Sequence, residues 1–257
     1  MSQNEHQLSL AKHLFAQRTA TTPASEYQAY NVSNIDEAFE VQQAMVSLFA
    51  EPVDGWKCLT PQANEQLIFA PILSKVVDNQ PSCPIVPATK DGQTFARIEP
   101  EIAIVLSEDF LPHTQYGNEQ IEQGIGATHL ALELIQSRFS ADYKASYLEI
   151  LADGLSNQGL YLGPKIDKAL AYQASKLTIK VTADDKVQEF AGAHPCTLPQ
   201  NPVFWLIQYL TDKGVHLKKG QAIITGSYCG VVNVPMNTPV TLLYQGLGEM
   251  TVSFTAK

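Results

Sequence analysis

The chain has 257 residues, 45% of them hydrophobic, which allows one large domain or two unequal ones around a real core. Its 17 Lys and Arg against 26 Asp and Glu give a net charge of −9, a balance that excludes nucleic-acid binding through a clustered basic face. Four cysteines (Cys58, Cys83, Cys196 and Cys229) form no Cys-x-x-Cys pair and are too few for a secreted disulfide framework, so they read as reduced thiols. No apolar run reaches the roughly 18 residues of a membrane helix. The opening MSQNEHQLSLAKHLF lacks an apolar signal core. The expectation is a soluble cytoplasmic protein with no membrane or nucleic-acid partner.

In chain order, Leu8, Ala11, Leu14 and Phe15 recur at helical spacing. A second helix is predicted over Ile35–Phe49, with Asn34 as N-cap, Glu37 at capping-box spacing and an apolar stripe from Val41 to Phe49. Pro52 and Gly55 end it. Prolines 61, 71, 81, 84 and 87 rule out a long helix over 61–87 and predict an extended connector. Beyond about residue 94, β-rich runs dominate: 94–106, 128–136, 177–182, 188–190, 222–225, 240–244 and 250–254. A helix over 202–213, stopped by Gly214, interrupts them. The pattern is α+β, with a helical N-terminal region over 1–80 and a β-rich catalytic domain over 81–257.

The run from Arg97 to Leu106 carries the most chemistry. In a strand, Glu99, Glu101, Ala103 and Val105 share one face, and Ile98, Ile102, Ile104 and Leu106 the other. Pro100 between the glutamates, lacking an N–H, belongs at an edge or a bulge. Glu133 sits alone in a second apolar run, Leu130 to Ile135. Buried like charges repel and resist ionisation, so a divalent cation with hard oxygen ligands would offset them. On pattern alone, a solvated edge-strand face explains the same spacing.

Several segments in order resemble the hydratase/decarboxylase branch of the fumarylacetoacetate hydrolase superfamily. They are Gly55-Trp56-Lys57, Ile98-Glu99-Pro100-Glu101-Ile102-Ala103, and Ala131-Leu132-Glu133-Leu134-Ile135 with Ser137-Arg138. Ala152-Asp153 with Ser156 and Gly159, Leu162-Gly163, Asn201-Pro202, Thr225-Gly226-Ser227 and Gly246-Leu247-Gly248 follow. The resemblance implies a mixed β-sheet roll behind a helical N-terminal part. It implies Mg²⁺ or Mn²⁺ held by Glu99, Glu101 and Glu133, and a homo-oligomer working in aromatic catabolism.

The activity implied is a metal-dependent lyase hydrating a 2-oxo-4-enoate, of the 2-hydroxypenta-2,4-dienoate hydratase type, through an enolate stabilised by the metal. Decarboxylation of a 2-oxo diacid such as 4-oxalocrotonate shares that enolate and is not separated from it by sequence. An acylpyruvate-type C–C hydrolase would need a His–Glu pair, and His6 and His13 lie outside any motif. A non-catalytic metal- or ligand-binding paralogue is the reading from another class. Lys57 is the proton-transfer candidate, with an apolar neighbourhood expected to lower its pKa. Arg138 reads as pairing with the substrate carboxylate or with a metal-ligating carboxylate, or equally as a surface charge. Asp153 and Ser156 read as substrate- or water-positioning residues or ordinary turn formers, and Ser227 as a donor to the substrate carboxylate. His194-Pro195-Cys196 reads as a loop rather than a zinc site, and Cys58 as a small buried thiol.

The chain departs from the family pattern around the substrate. Cys58 follows Lys57 where a small residue or glycine is usual, Gln136 replaces an Asp, Gly154 replaces an Asn, and Pro235-Met236-Asn237 replaces a Pro-Gly-Asp turn. The three glutamates are intact, so the departures point to an altered substrate more than a lost metal.

Overall fold

The computed structural model describes residues 3–20, 23 and 32–257. Two helices open it, α1 (Gln3–Gln17) and α2 (Ile35–Phe49), followed by β1 (Gly55–Cys58), β2 (Phe69–Pro71), β3 (Val77–Asp78), β4 (Ser82–Ile85), β5 (Ala88–Lys90) and β6 (Gln93–Leu106). Then come α3 (Asn118–Gln123), β7 (Ile125–Ile135), α4 (Tyr147–Ala152), β8 (Asn157–Ile166), α5 (Lys168–Gln173), β9 (Lys176–Ala183) and β10 (Lys186–Ala193). The chain closes with α6 (Asn201–Asp212), β11 (Ala222–Ile224), β12 (Val232–Pro235), β13 (Pro239–Tyr244) and β14 (Gly248–Ala256).

Helix α2 starts where its cap predicts. Asn34 Oδ1 accepts from the Glu37 amide at 2.9 Å, while Glu37 turns its carboxylate to the Ser33 amide and hydroxyl, each at 2.8 Å. The reciprocal arm of the box thus lands one residue earlier than the cap itself. The apolar stripe of α2 and the buried side of α6 enclose one core with Trp56, Phe69, Ile104 and Ile223.

Two mixed sheets form the rest. The larger has the order β2-β1-β11-β6-β7-β8-β3, with β5 and β12 also pairing β6; the smaller has the order β10-β9-β13-β14-β4. Ile98, Ile102, Leu130, Leu132 and Leu134 of the large sheet pack against Ile179, Val181, Leu242 and Val252 of the small one. One face of β6 is therefore given wholly to core, as alternation requires.

One strand was not anticipated and one sequence expectation changes. The segment 157–166, outside the β-rich runs read from the sequence, is the inner strand β8, in which Gly159 and Gly163 are close-approach positions. A Cβ at Gly163 would sit 2.6 Å from Met250 Sδ and 3.0 Å from the Leu130 carbonyl oxygen. Pro100 is on neither an edge strand nor a bulge. β6 is interior, and its register irregularity lies at Val105/Leu106. On the far edge of β6, β12 pairs with 95–98 and β11 with 103–105, so Pro100 occupies the gap between them. Its missing N–H falls where there is no strand to receive one.

Candidate metal centre

Strand pairing brings the carboxylates together. Glu99 lies directly across from Glu133 in the antiparallel β6–β7 ladder, and Glu101 lies across from Ala131. One oxygen from each of the three glutamates falls within 4.8 Å of the others. Glu101 is 2% exposed and Glu133 0%; Glu99 is half-buried. Lys57 enters from β1, whose register with β11 places it opposite Ile224, itself opposite Ala103 on the carboxylate face. Its Nζ donates to Glu133 Oε1 at 2.6 Å and to the Leu155 carbonyl at 3.4 Å.

The electrostatics are those of excess negative charge. Burial, then the neighbouring Glu133 and Glu99, push the Glu101 carboxyl well above the usual carboxylate range; Lys57 and the Gly226 amide only partly offset them. Glu99 is raised by burial and by Glu133, with Lys57 and Arg97 opposing. Burial by itself pulls the Lys57 ammonium down, but Glu133, Glu101 and Glu99 outweigh it and hold the group above its ordinary value. An apolar pocket that lowers this lysine, expected from Trp56, is thus corrected: Trp56 points into the opposite core, and carboxylates surround the ammonium.

The gap beside Pro100 is filled by the turn after β11. Ser227 Oγ donates to the Pro100 carbonyl at 3.1 Å, and the Gly226 amide donates to Glu101 Oε2 at 2.6 Å. Gly226 has φ 117°, and a Cβ there would lie 2.5 Å from Pro195 Cγ and 2.6 Å from Leu59 Cδ2. Glycine is needed for both reasons. Across the site, Asn157 Nδ2 donates to Glu133 Oε1 at 3.0 Å. Gly226 and Asn157 are the contacts that sequence reading missed as carboxylate donors. The first acts through its backbone, which leaves no residue-type signal; the second lies on β8, a strand that the sequence pattern did not reveal.

Arg138 and Asp153 meet each other rather than the glutamates. Arg138 Nε and Nη2 donate to the two Asp153 oxygens, the latter at 2.8 Å, and Nη2 also reaches the Asp153 carbonyl at 3.2 Å. Both side chains are 0% exposed. Asp153 caps the C-terminus of α4 and accepts from the Ser156 amide at 3.4 Å. The pair thereby fixes the turn 153–156, in which Leu155 (φ 58°) and Ser156 (φ 61°) are left-handed and from which the Leu155 carbonyl meets Lys57. His194-Pro195-Cys196 is a turn in which His194 and Cys196 are buried and Pro195 is exposed: His194 Nε2 lies 3.3 Å from Thr225 Oγ1, and burial lowers the imidazole to about 4. Cys58 is buried beside Lys57, and its thiol is pushed well up by burial and by Cys196 and Glu101.

The residues present fit a hard divalent cation. Glu133 Oε2 is buried without a hydrogen-bond partner, a costly state for a carboxylate oxygen. Three carboxylates face one ammonium, and oxygen-only donors suit Mg²⁺, Mn²⁺ or Ca²⁺. No helix of the described residues is long and apolar enough to cross a membrane.

No protein-family model matches the chain. Among curated proteins, it is 26% identical over 160 residues to a 4-oxalocrotonate decarboxylase of Pseudomonas putida, covering 62% of this chain and 60% of the relative. It is 27% identical over 165 residues to a 2-keto-4-pentenoate hydratase of Paraburkholderia phymatum, with the same two coverages. The similarity thus spans about 60% of these relatives' length. Among solved structures, 4-oxalocrotonate decarboxylase from Pseudomonas putida G7, complexed with magnesium and adipate, superposes with a TM-score of 0.76 at 20% identity over 97% of each chain. The fold is the fumarylacetoacetate hydrolase type, and the curated similarity falls on the hydratase and decarboxylase branch that the motifs resemble.

Proposed function

We propose that this chain is a divalent-metal-dependent lyase acting on a 2-oxo acid, adding water to a 2-oxo-4-enoate. The observation that carries the reading is the convergence of Glu99, Glu101 and Glu133 on one point, with an orphaned Glu133 oxygen and too few cations nearby. Glu99, Glu101 and Glu133 would hold Mg²⁺ or Mn²⁺, which when bound supplies Lewis-acid polarisation of a 2-oxo carboxylate. A Mg²⁺ complex is known for the 4-oxalocrotonate decarboxylase that shares the fold.

The chain's own residues do the rest. Lys57 carries the proton at Nζ, aimed by Glu133 and the Leu155 carbonyl. The Gly226 amide and Asn157 Nδ2 orient Glu101 and Glu133, as outer-shell donors do for metal-ligating carboxylates. Ser227, tied to Pro100, fixes the turn that presents Gly226. Arg138 and Asp153 act as positioning residues for Leu155 and Ser156, with Ser156 at the substrate side. Decarboxylation of a 2-oxo diacid is the second reading, favoured by the names of the P. putida relatives. Small-molecule turnover by a homo-oligomer is part of the same proposal.

An ultraviolet assay with 2-hydroxypenta-2,4-dienoate and with 4-oxalocrotonate tests it. Turnover of either that is abolished by EDTA and restored by Mg²⁺ is expected. No turnover of either while oxalate still binds would replace the enzyme reading with a ligand-binding one.

A further inference from the structure

Beside the Arg138–Asp153 pair stands a further buried charge that the metal centre does not use. Arg18 follows the last turn of α1 and is 8% exposed. Its Nη2 is enclosed and meets no hydrogen-bond partner. Among the described residues, no carboxylate lies within ion-pair distance of it. A guanidinium keeps its charge and has five N–H donors, so burying one without a counter-charge is costly.

The acceptors that usually settle such a side chain are already taken. A basic residue at a helix end commonly turns to the last carbonyls. Here the Phe15 carbonyl accepts from the Arg18 amide at 3.1 Å and the Ala16 carbonyl from Thr19 Oγ1 at 3.4 Å. The Gln17 and Ala20 carbonyls each accept from Gln136 Nε2 at 3.0 Å. Asp153 is the carboxylate that acts on Arg18, but Arg138 already donates to both of its oxygens. Arg138 Nη1 also reaches Gln136 Oε1 at 3.4 Å, so Gln136 joins the end of α1 to the pair. Burial first, then repulsion from Arg138, brings the Arg18 guanidinium down to about 9, with Asp153 opposing. Lys257, at the surface, adds to the positive field: desolvation, then Arg18 and Arg138, lower its ammonium, with Cys83 opposing. Two buried guanidinium groups thus share one carboxylate, a surplus of one positive charge.

We propose that Arg18 and Arg138 bind one small monovalent anion, of the size of chloride, between the end of α1 and the Arg138–Asp153 pair. The ion supplies the charge that Asp153 cannot give to both guanidinium groups at once. By screening Arg138 from Arg18 it leaves the Arg138 fork to Asp153, and so steadies the turn 153–156 whose Leu155 carbonyl meets Lys57. The site is distinct from the three glutamates, and anion binding there does not depend on the lyase reading.

Exchanging sodium gluconate, whose anion is too bulky to follow, for sodium chloride at constant ionic strength tests this on the full chain. The Tm of the wild type should rise saturably, by roughly 2–4 °C once chloride exceeds its Kd about tenfold, and the ³⁵Cl resonance should broaden in its presence. Arg18→Met should erase both effects, and in gluconate it should be at least as stable as the wild type, since a buried unpaired charge has gone. Arg18→Lys should keep part of the chloride response. Gln136→Asp sets a built-in carboxylate beside Arg138 and should erase the response with Arg18 still in place; it decides the matter if Arg18→Met does not fold. A wild-type Tm equal in the two salts with no ³⁵Cl broadening would overturn the proposal. So would a chloride response undiminished in Arg18→Met or in Gln136→Asp. None of these outcomes touches the binding of Mg²⁺ at the glutamates.

Discussion

Arg138 and Asp153 are buried as completely as Glu101 and Glu133, yet the two clusters solve burial differently. The first is a matched pair: a guanidinium fork meets both oxygens of one carboxylate, and the remaining Asp153 contact goes to a turn amide. The second sets three carboxylates against one ammonium and leaves a Glu133 oxygen without a partner. A buried pair can be close to neutral in free energy, whereas buried like charges are held only at a cost that packing elsewhere offsets. Imbalance, rather than buried charge as such, is what singles out the cluster proposed to hold a cation.

The largest effect should come from removing a glutamate of the unbalanced cluster. Glu101→Gln should abolish the rise in Tm that Mg²⁺ gives the wild type, since only a ligand that binds the folded state stabilises it. Turnover should fall by roughly 10³-fold, the scale lost with an electrostatic transition-state contact. A thermal shift with Mg²⁺ that survives in Glu101→Gln would remove Glu101 from the site. The same cluster sets a pH dependence. Glu101 and Glu99 have folded-state pKa values raised by burial and mutual repulsion. The metal-free fold therefore keeps protons that the unfolded chain has already released. Its stability is expected to fall as pH rises from the ordinary carboxylate range through the raised values. Saturating Mg²⁺ should flatten that slope, and Tm measured against pH with and without the ion would show it.

Lys57→Met comes next and separates chemistry from binding. It should cut kcat by roughly 10²–10⁴, the range of a lost general acid–base group, while Mg²⁺ affinity holds or tightens because a competing cation has left Glu133. Loss of activity only in step with loss of metal would make Lys57 a structural counter-ion, like Arg138. The balanced cluster should respond the other way. Arg138→Met strands a buried carboxylate and should cost about 3–5 kcal/mol. Replacing both partners, Arg138→Met with Asp153→Leu, should recover much of it. Chemical denaturation of the single and double variants reads the difference; equal losses in both would mean that the pair is not acting as a unit.

These contrasts also separate what was legible in the sequence from what was not. Helix α2 could be read because its cap, stripe and stop are local, and the glutamates because carboxylates interrupt apolar strands of period two. Helices α3, α4 and α5, at six residues each, are too short to show a helical period. β8 was hidden because glycines that serve close packing carry the same letters as glycines that serve turns. Arg138 suggested a substrate contact, but its partner lies fifteen residues on, across a turn whose course no local pattern gives. Gly226 carries its function on a backbone N–H, which every residue but proline possesses.

The smallest predicted effect probes how the two kinds of cluster are supported. Ser227 Oγ donates to the Pro100 carbonyl and accepts from the Cys229 amide at 3.3 Å, so it ties the turn that carries Gly226 to the strand that carries Glu99 and Glu101. Ser227→Ala removes one partly buried hydrogen-bonded hydroxyl and should cost about 1 kcal/mol. If the turn merely closes the gap in the sheet, that loss should appear in stability alone. If it aims the Gly226 amide at Glu101, Mg²⁺ affinity should also weaken, by a few-fold. Gly226→Ala should weaken it further, because a Cβ there collides with Pro195 and Leu59. Titrating Mg²⁺ into both variants ranks them. An affinity untouched in each would mean that Glu101 is held in place by burial and by its neighbours on β6 rather than by the turn.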